Sequence, residues 1–403
     1  MTRGINGFQP GRLAQVLAIR RLSQVQLATM VGVSASTISK WRVGPQTPEP
    51  DKLEKLAAAV NVQPEWFTRP LLDKPSDPLF RSNASAHQAA REMLEGRLEW
   101  AQEISACLEE FVDFPSANFP ERTFTNPEEI TAEDIEEAAQ DCRNLWGLGS
   151  GPVSDVALAL ENAGAILIRE ETGVAQIEGL SAWSSALHRP LVLLASDKDN
   201  GFRSRFDTAH ELGHVVLHKN VPRATERLRH NEMEKQAHRF AGAFLLPAES
   251  FSAEVRLPAT LDSLLLLKQR WGVSVAALIM RLEALELISE EDKITLFKRR
   301  SARWGAKSEP GDETRSPEKP RLLRRTVELL LSANVMPTEG IARHLGISEQ
   351  DIEMLTGLPK NFLSTKADVI ELPSLRVRAA NVSADSPFAT GAVLPFERRK
   401  RSS

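Results

Sequence analysis

Two histidines four residues apart, in the stretch His210-Glu211-Leu212-Gly213-His214, place the sharpest constraint on how this chain folds. At that spacing both imidazoles stand on one face of an α-helix, one turn apart. The flanks agree: Phe206, Ala209, Leu212, Val216 and Leu217 make an apolar stripe at helical period, which seats the helix against a core with the histidines turned inward. With 8 histidines in 403 residues, chance supplies such a pattern in roughly one chain in a hundred, so the motif suggests and its context decides.

Imidazoles paired in this way can hold one Zn²⁺, and the intervening Glu211 is positioned to take a proton from a water, which is the chemistry of a metallopeptidase. A catalytic zinc uses three protein ligands and keeps its fourth position for water, so one ligand must come from elsewhere in the chain. The best candidate is Glu234, 20 residues beyond His214. It opens a second predicted helix in which Ala237, Phe240, Ala241, Phe244 and Leu245 face a core and which Pro247 ends. His238 lies one turn further on the same face, where it either hydrogen-bonds and orients a ligating histidine or competes as a ligand; the orienting role is favoured. Glu232 is the competing carboxylate, but two residues along a helix turn it well away from Glu234.

The residues Arg205-Phe206-Asp207-Thr208-Ala209-His210-Glu211-Leu212-Gly213-His214, with the later Glu-x-x-Ala-x-x-Phe-Ala…Leu-Leu-Pro stretch, resemble the ImmA/IrrE zinc metallopeptidases. In that family, as in thermolysin-like gluzincins, two motif histidines and a downstream glutamate hold zinc and the motif glutamate is general base. The resemblance thus implies His210, His214 and Glu234 as ligands and Glu211 as base. The family usually has asparagine where this chain has His238. Gly179–Trp183 and Pro190–Ala195 look like the short strands that precede the family's active-site helix, one of them an edge on which a peptide could be laid. The chain has no tyrosine, so the phenol that many zinc peptidases turn on the oxyanion is missing. His218, His230 or Arg223 are the substitutes considered, and His218 reads more readily as a surface or core histidine.

The first 69 residues carry nine basic side chains against four acidic ones, a net +5 inside a chain of net −4, and a face of that sign suits phosphate contacts. Leu13, Val16 and Leu17 open one helix, Gln26–Gly32 a second and Ser34–Arg42 a third, and two short helices about Gly32 make a helix-turn-helix. Through Leu27-Ala28, Gly32-Val33-Ser34, Ile38-Ser39-Lys40-Trp41 and Pro48…Leu53…Leu56-Ala57, residues 8–67 resemble Xre/Cro-type DNA-binding domains. The resemblance implies that the third helix enters the major groove of double-stranded DNA. Ser34, Ser36, Thr37, Lys40 and Arg42 then face bases or phosphates, Ile38 and Trp41 pack inward, and Ser34 caps the helix. The plainer alternative is a helical interaction domain without DNA affinity.

The remaining chain divides by composition. A linker and bridging helix (70–127, the helix at about 86–111) precede an α+β zincin-like peptidase domain with a small sheet (128–255). Its opening helix, 131–146, has an acidic run read as a solvated face, and Pro152–Ala163 and Ala165–Ile168 follow as helix and strand. A second helix–Gly–helix segment (256–304) reads as an element that presents substrate or packs as a lid, packing being favoured, 305–320 as a flexible linker, and 321–364 as a helical unit whose Glu349, Asp351 and Glu353 repel phosphate and favour protein contact. The tail, 365–403, ends in Arg398–Arg401 and reads as disordered. No segment approaches the ~20 apolar residues of a membrane span, and the expected compartment is the cytoplasm. Cys107 and Cys142 are expected as free thiols, which excludes a thiolate zinc site.

The chain is therefore expected to be multidomain: an all-α reader, an α+β peptidase and a helical C-terminal region. Two functions remain open. One is a DNA-tethered zinc endopeptidase that cleaves a partner repressor or toxin–antitoxin partner in stress, phage or mobile-element control. The other is a regulator or antitoxin that holds a partner without turnover; a homodimer on paired half-sites suits either.

Overall fold

The computed structural model describes residues 4–77, 88–173, 177–197, 199–222, 227–305 and 308–364. Arg223 and the tail from Thr365, with its Arg398–Arg401 run, lie outside them.

Leading prolines and capping side chains set the helices of the first sixty residues. α1 (Pro10–Arg20) begins on proline, where a missing N–H costs nothing. α2 (Gln24–Val31) opens on a reciprocal Ser23/Gln26 box and closes on Gly32 at φ +72°, the left-handed region that favours glycine. Ser34 accepts from the Thr37 amide to start α3 (Ala35–Val43), and α4 (Pro50–Val60) completes the bundle around Leu13, Val16, Leu27, Ile38, Trp41 and Leu56, all buried. The helix-turn-helix lies where the sequence places it.

α5 (Gln88–Glu109) packs against α1 on one side and against the sheet on the other, so it does bridge the two regions. α6 (Ala132–Leu145) starts on a Thr131/Asp134 box, and α7 (Val156–Asn162), capped by Asp155, is shorter than the expected 152–163. The sheet has three strands, β1 (Ile166–Glu170), β2 (Gly179–Ser184) and β3 (Arg189–Ala195), in the order β1-β3-β2. β1 runs parallel to β3 and β2 antiparallel, with Leu180 opposite Leu193 and Ala182 opposite Leu191.

Alternation along β3 divides the molecule. Leu191 and Leu193 face a core shared with α1–α5 and the C-terminal helices, while Val192 and Leu194 face the core of α8 (Gly201–Leu217) and α9 (Arg227–Leu245). Burial on both faces explains why Pro190–Ala195 reads as a continuous apolar run.

After α10 (Ala248–Glu254), the pair α11 (Leu261–Trp271) and α12 (Val275–Ala284) joins through Gly272 and Ser274 as a second helix-turn-helix, followed by α13 (Glu290–Trp304). Leu264, Trp271, Leu278 and Leu282 bury it in the core shared with α8 and α9, which is a packing role.

Residues 308–320 differ from the flexible linker expected. The Glu309 carboxylate accepts from the Val275 and Ala276 amides at 2.7 and 3.1 Å and meets Lys268 and Arg300. Glu318 likewise accepts from Val156 and Ala157 at 2.8 and 3.1 Å and pairs with Arg205. Each acid thus sits at a helix N-terminus, where its charge meets unpaired amides. Composition alone reads such acids as solvated.

α14 (Leu322–Ser332), α15 (Thr338–Leu345) and α16 (Glu349–Thr356) close on the reader. Asp351 takes Arg20 of α1 in a two-pronged pair at 2.7 and 2.6 Å, and Glu353 accepts from the Asn361 and Leu363 amides. Two of the three acids expected to favour protein contact, Asp351 and Glu353, make it within their own chain. Among the described residues no single helix is long and apolar enough to cross a membrane.

Candidate metal centre

α8 carries the two histidines and α9 the glutamate, so the centre depends on how closely these helices approach. Gly213 permits it: a Cβ there would stand 3.0 Å from the Ala237 Cα and 3.2 Å from the Phe240 Cβ, closer than packed side chains tolerate. Arg143 and Arg281 hold the end of α9, donating to the Phe244 and Leu246 carbonyls at 2.6 and 2.9 Å. Arg281 also grips Glu136 of α6 at 2.5 and 2.8 Å.

The result is a triangle. His210 Nε2 and His214 Nε2 are 3.1 Å apart, and the Glu234 oxygens lie 3.4 and 3.3 Å from them. Glu234 thus spans both imidazoles, Oε2 toward His210 and Oε1 toward His214, and one ligand atom from each of the three residues lies within 4.8 Å of the others, so the three converge on a space for an ion bound at about 2.0–2.1 Å. Both Glu234 oxygens and Glu211 Oε2 are buried without a hydrogen-bond partner among the described residues, a cost of about 1–3 kcal/mol for each group that a cation would relieve. The three side chains therefore fit a zinc ion, and they form the cluster of His and acid side chains suited to a metal.

Burial alone would raise the Glu234 carboxyl, but the two imidazoles, when protonated, outweigh it and hold it well below the usual carboxylate range. Burial instead pushes Glu211 up to about 7, against the pull of His214. Glu211 reaches the edge of β2, where a Cβ on Gly179 would fall 2.8 Å from its Oε1. A neighbouring side chain at 179 would displace the carboxylate.

The other expected site residues separate. Glu232 stays clear of the triangle beside Lys235. His238 lies outside the triangle too: its ring leans on Phe206 at 4.6 Å and meets the His210 ring at 6.0 Å, edge to face. His218, read as a bland histidine, is buried with Nδ1 2.9 Å from His214 Nδ1 and Nε2 3.0 Å from Gln236 Oε1. Gln236 in turn donates to the Pro127 carbonyl at 2.6 Å. This arrangement fixes the proton order: His214 Nδ1–H donates to His218, whose Nε2–H donates to Gln236, leaving His214 Nε2 bare. His218 is thus committed to orienting His214 and is removed as an oxyanion donor. The sequence signal was there, as His210, His214 and His218 recur every fourth residue. His230 is buried one turn before Glu234, with Nε2 unpartnered among the described residues.

A cavity of about 340 Å³ lies between the end of α8 and β2, lined by Ser181, Trp183, His214, His218 and Lys219. A second, of about 490 Å³, opens beyond the triangle along Phe206, His210, Glu234, His238 and Met280. On the reader, Ser34, Ser36, Lys40 and Arg42 are exposed and Thr37 half-buried, with the Ser34 hydroxyl 3.0 and 2.8 Å from those of Ser36 and Thr37.

Residues 160–283 match the family model of the IrrE N-terminal-like domain, a metallopeptidase family, and residues 13–67 match that of the helix-turn-helix family. The first span takes in the triangle, the sheet and the α11–α12 pair. No curated protein matches the chain.

Proposed function

We propose that this helix-turn-helix and IrrE-like peptidase domain make a DNA-bound zinc endopeptidase that cleaves a partner regulator, a repressor or toxin–antitoxin partner. The carrying observation is the His210–His214–Glu234 cluster, in which the two Nε2 atoms are 3.1 Å apart and each lies 3.3 to 3.4 Å from one of the two Glu234 oxygens, beside the buried Glu211. Zinc held by those three residues would supply the Lewis acid that polarises the scissile carbonyl and activates water. Glu211 takes the attacking water's proton and returns it to the leaving amine, and a pKa of about 7 suits both transfers. His218 and Gln236 keep His214 in the tautomer that presents Nε2.

The alternative, a regulator that holds its partner without turnover, draws on one observation: the free edge of β2 is already paired with the chain's own Ser76. Zinc per chain, measured by elemental mass spectrometry on protein purified without added metal, addresses the centre. Near-stoichiometric zinc in the native chain and in Glu211→Gln, lost in Glu234→Ala, is the expected pattern. Cleavage of a cognate regulator should then vanish in Glu211→Gln. A zinc-free native protein, or undiminished cleavage by Glu211→Gln, would sink the proposal.

A further inference from the structure

The edge of β2 beside the metal centre has an occupant. Antiparallel pairing to β3 uses the inward groups of residues 180, 182 and 184, and Ala195 N donates to Glu178 O in the same alternation. The backbone groups of Gly179, Ser181 and Trp183 therefore point outward, and Pro190 opposite Trp183 has no N–H to offer. Ser76 takes the Trp183 pair. Its N–H donates to Trp183 O at 2.8 Å, and its hydroxyl accepts from Trp183 N at 2.9 Å.

Residues 70–77 are tied down along their length. Arg12 of α1 donates to the Pro70 carbonyl at 2.7 Å, Gln102 of α5 to the Asp73 carbonyl at 2.9 Å, and Lys74 meets Glu99 at 2.9 Å. Ser76 and Asp77 then wall the cavity that contains Ser181, His214 and His218. The segment runs from the reader, over α5, to the edge strand of the peptidase domain.

We propose that residues 70–77 are an autoinhibitory strap that competes with peptide substrates for the β2 edge, a regulation that rests on the peptidase reading above. An extended peptide adds to a free edge through those outward groups, and at about 3.3 Å per residue the Gly179–Trp183 edge offers five residues of pairing. The strap holds the Trp183 end, so a peptide reaching Glu211 beside Gly179 pairs over a shortened edge. Arg12, buried in the reader, fixes the strap's origin, which places its release under the control of whatever moves α1.

The test uses the full zinc-loaded chain and two variants. Ser76→Pro deletes the donated N–H and the hydroxyl while keeping extended backbone after Pro75, and Gln102→Leu frees Asp73 from the opposite side. The probes are a tripeptide hydroxamate, which pairs with an edge strand, and acetohydroxamate, which offers the same metal-binding group without a peptide. The strap predicts that the tripeptide hydroxamate binds either variant about tenfold more tightly than the native chain, with acetohydroxamate unchanged. Equal affinity of the tripeptide for all three proteins overturns it. If neither hydroxamate binds, the metallopeptidase reading has failed, and hydrogen exchange of the 179–184 backbone decides the strap by itself. Exchange of the Trp183 amide about tenfold faster in both variants upholds the occupied edge, and unchanged exchange refutes it.

Discussion

Replacing His218 tests the construction of the metal centre without knowledge of the substrate. For His214 to present Nε2 to a metal it must carry its proton on Nδ1, and that N–H is buried where His218 Nδ1, 2.9 Å away, is the acceptor. Burial, then the neighbouring His214, push His218 down to about 3, so near neutral pH it stays uncharged and its lone pair stays available. His218→Leu fills the space but strands the donor, at a cost of about 1–3 kcal/mol. Loss of an orienting partner of this kind weakens metal binding by about 10- to 100-fold, the same range of energy. His218→Asn returns an acceptor oxygen near the Nδ1 position and should recover most of the affinity. Competition with a chromophoric zinc chelator at neutral pH measures both, with circular dichroism confirming the fold. A folded His218→Leu that binds zinc as the native chain does, or an Asn variant no better than Leu, would refute the relay.

Three further outcomes follow from other parts of the molecule. Glu170, at the end of β1, is buried beside Arg97 at 3.3 Å, and burial pushes its carboxyl up to about 7. The folded state therefore binds its proton more tightly than the unfolded chain, and stability falls as pH rises from about 4.5 to 7. Glu170→Gln should match the native chain in urea at pH 4.5 and exceed it by up to about 3 kcal/mol at pH 8, whereas a pH-independent difference would contradict the assignment. Lys40→Ala and Arg42→Ala should each lower the slope of log affinity for duplex DNA against log salt by about 0.9, read by fluorescence anisotropy, and an unchanged slope would remove that side chain from the phosphate contacts. Cys107 and Cys142 are free and buried, with Cys107 pushed up to about 12 by burial and Cys142 also raised, so iodoacetamide at pH 8 should label both only after unfolding. Labelling of the folded chain at the rate of a free thiol would count against that burial.

The elements that local chemistry dictates were legible. The cap Ser34 marks a helix start and Gly32 and Gly272 mark turns, because each acts within a few residues of itself. The triangle was legible for the same reason: spacing along one helix brings the two histidines together, and the stripe of Ala237, Phe240 and Phe244 fixes which way Glu234 faces. What escaped depends on partners far away in sequence. Glu309 and Glu318 look solvated until α12 and α7 bring their amide ends to them. His218 looks bland until Gln236 and Pro127 complete its relay. Ser76 gives no local sign that Trp183, 107 residues on, receives it. A pattern in one segment reports the face that segment buries, not the group that will meet it there.

The position of β3 bears on how the helix-turn-helix domain and the peptidase-like domain of one chain can influence each other. A flexible tether would leave the two domains independent apart from local concentration. Here Leu191 and Leu193 belong to the core that includes Leu13 and Trp41, while Val192 and Leu194 on the same strand belong to the core behind His214. Close-packed interiors resist continuous deformation, so a shift of the reader against the sheet is transmitted or refused rather than absorbed. The C-terminal helices reinforce this from the other side: Asp351 grips Arg20 of α1, and Gly346 O receives the Gln63 amide at 2.8 Å. The strap is the exception, an exposed stretch held by a few polar contacts between these two packed bodies. It is the part of the connection that can let go without either core opening, and for that reason the strap is where a signal reaching the reader would first be felt at the β2 edge.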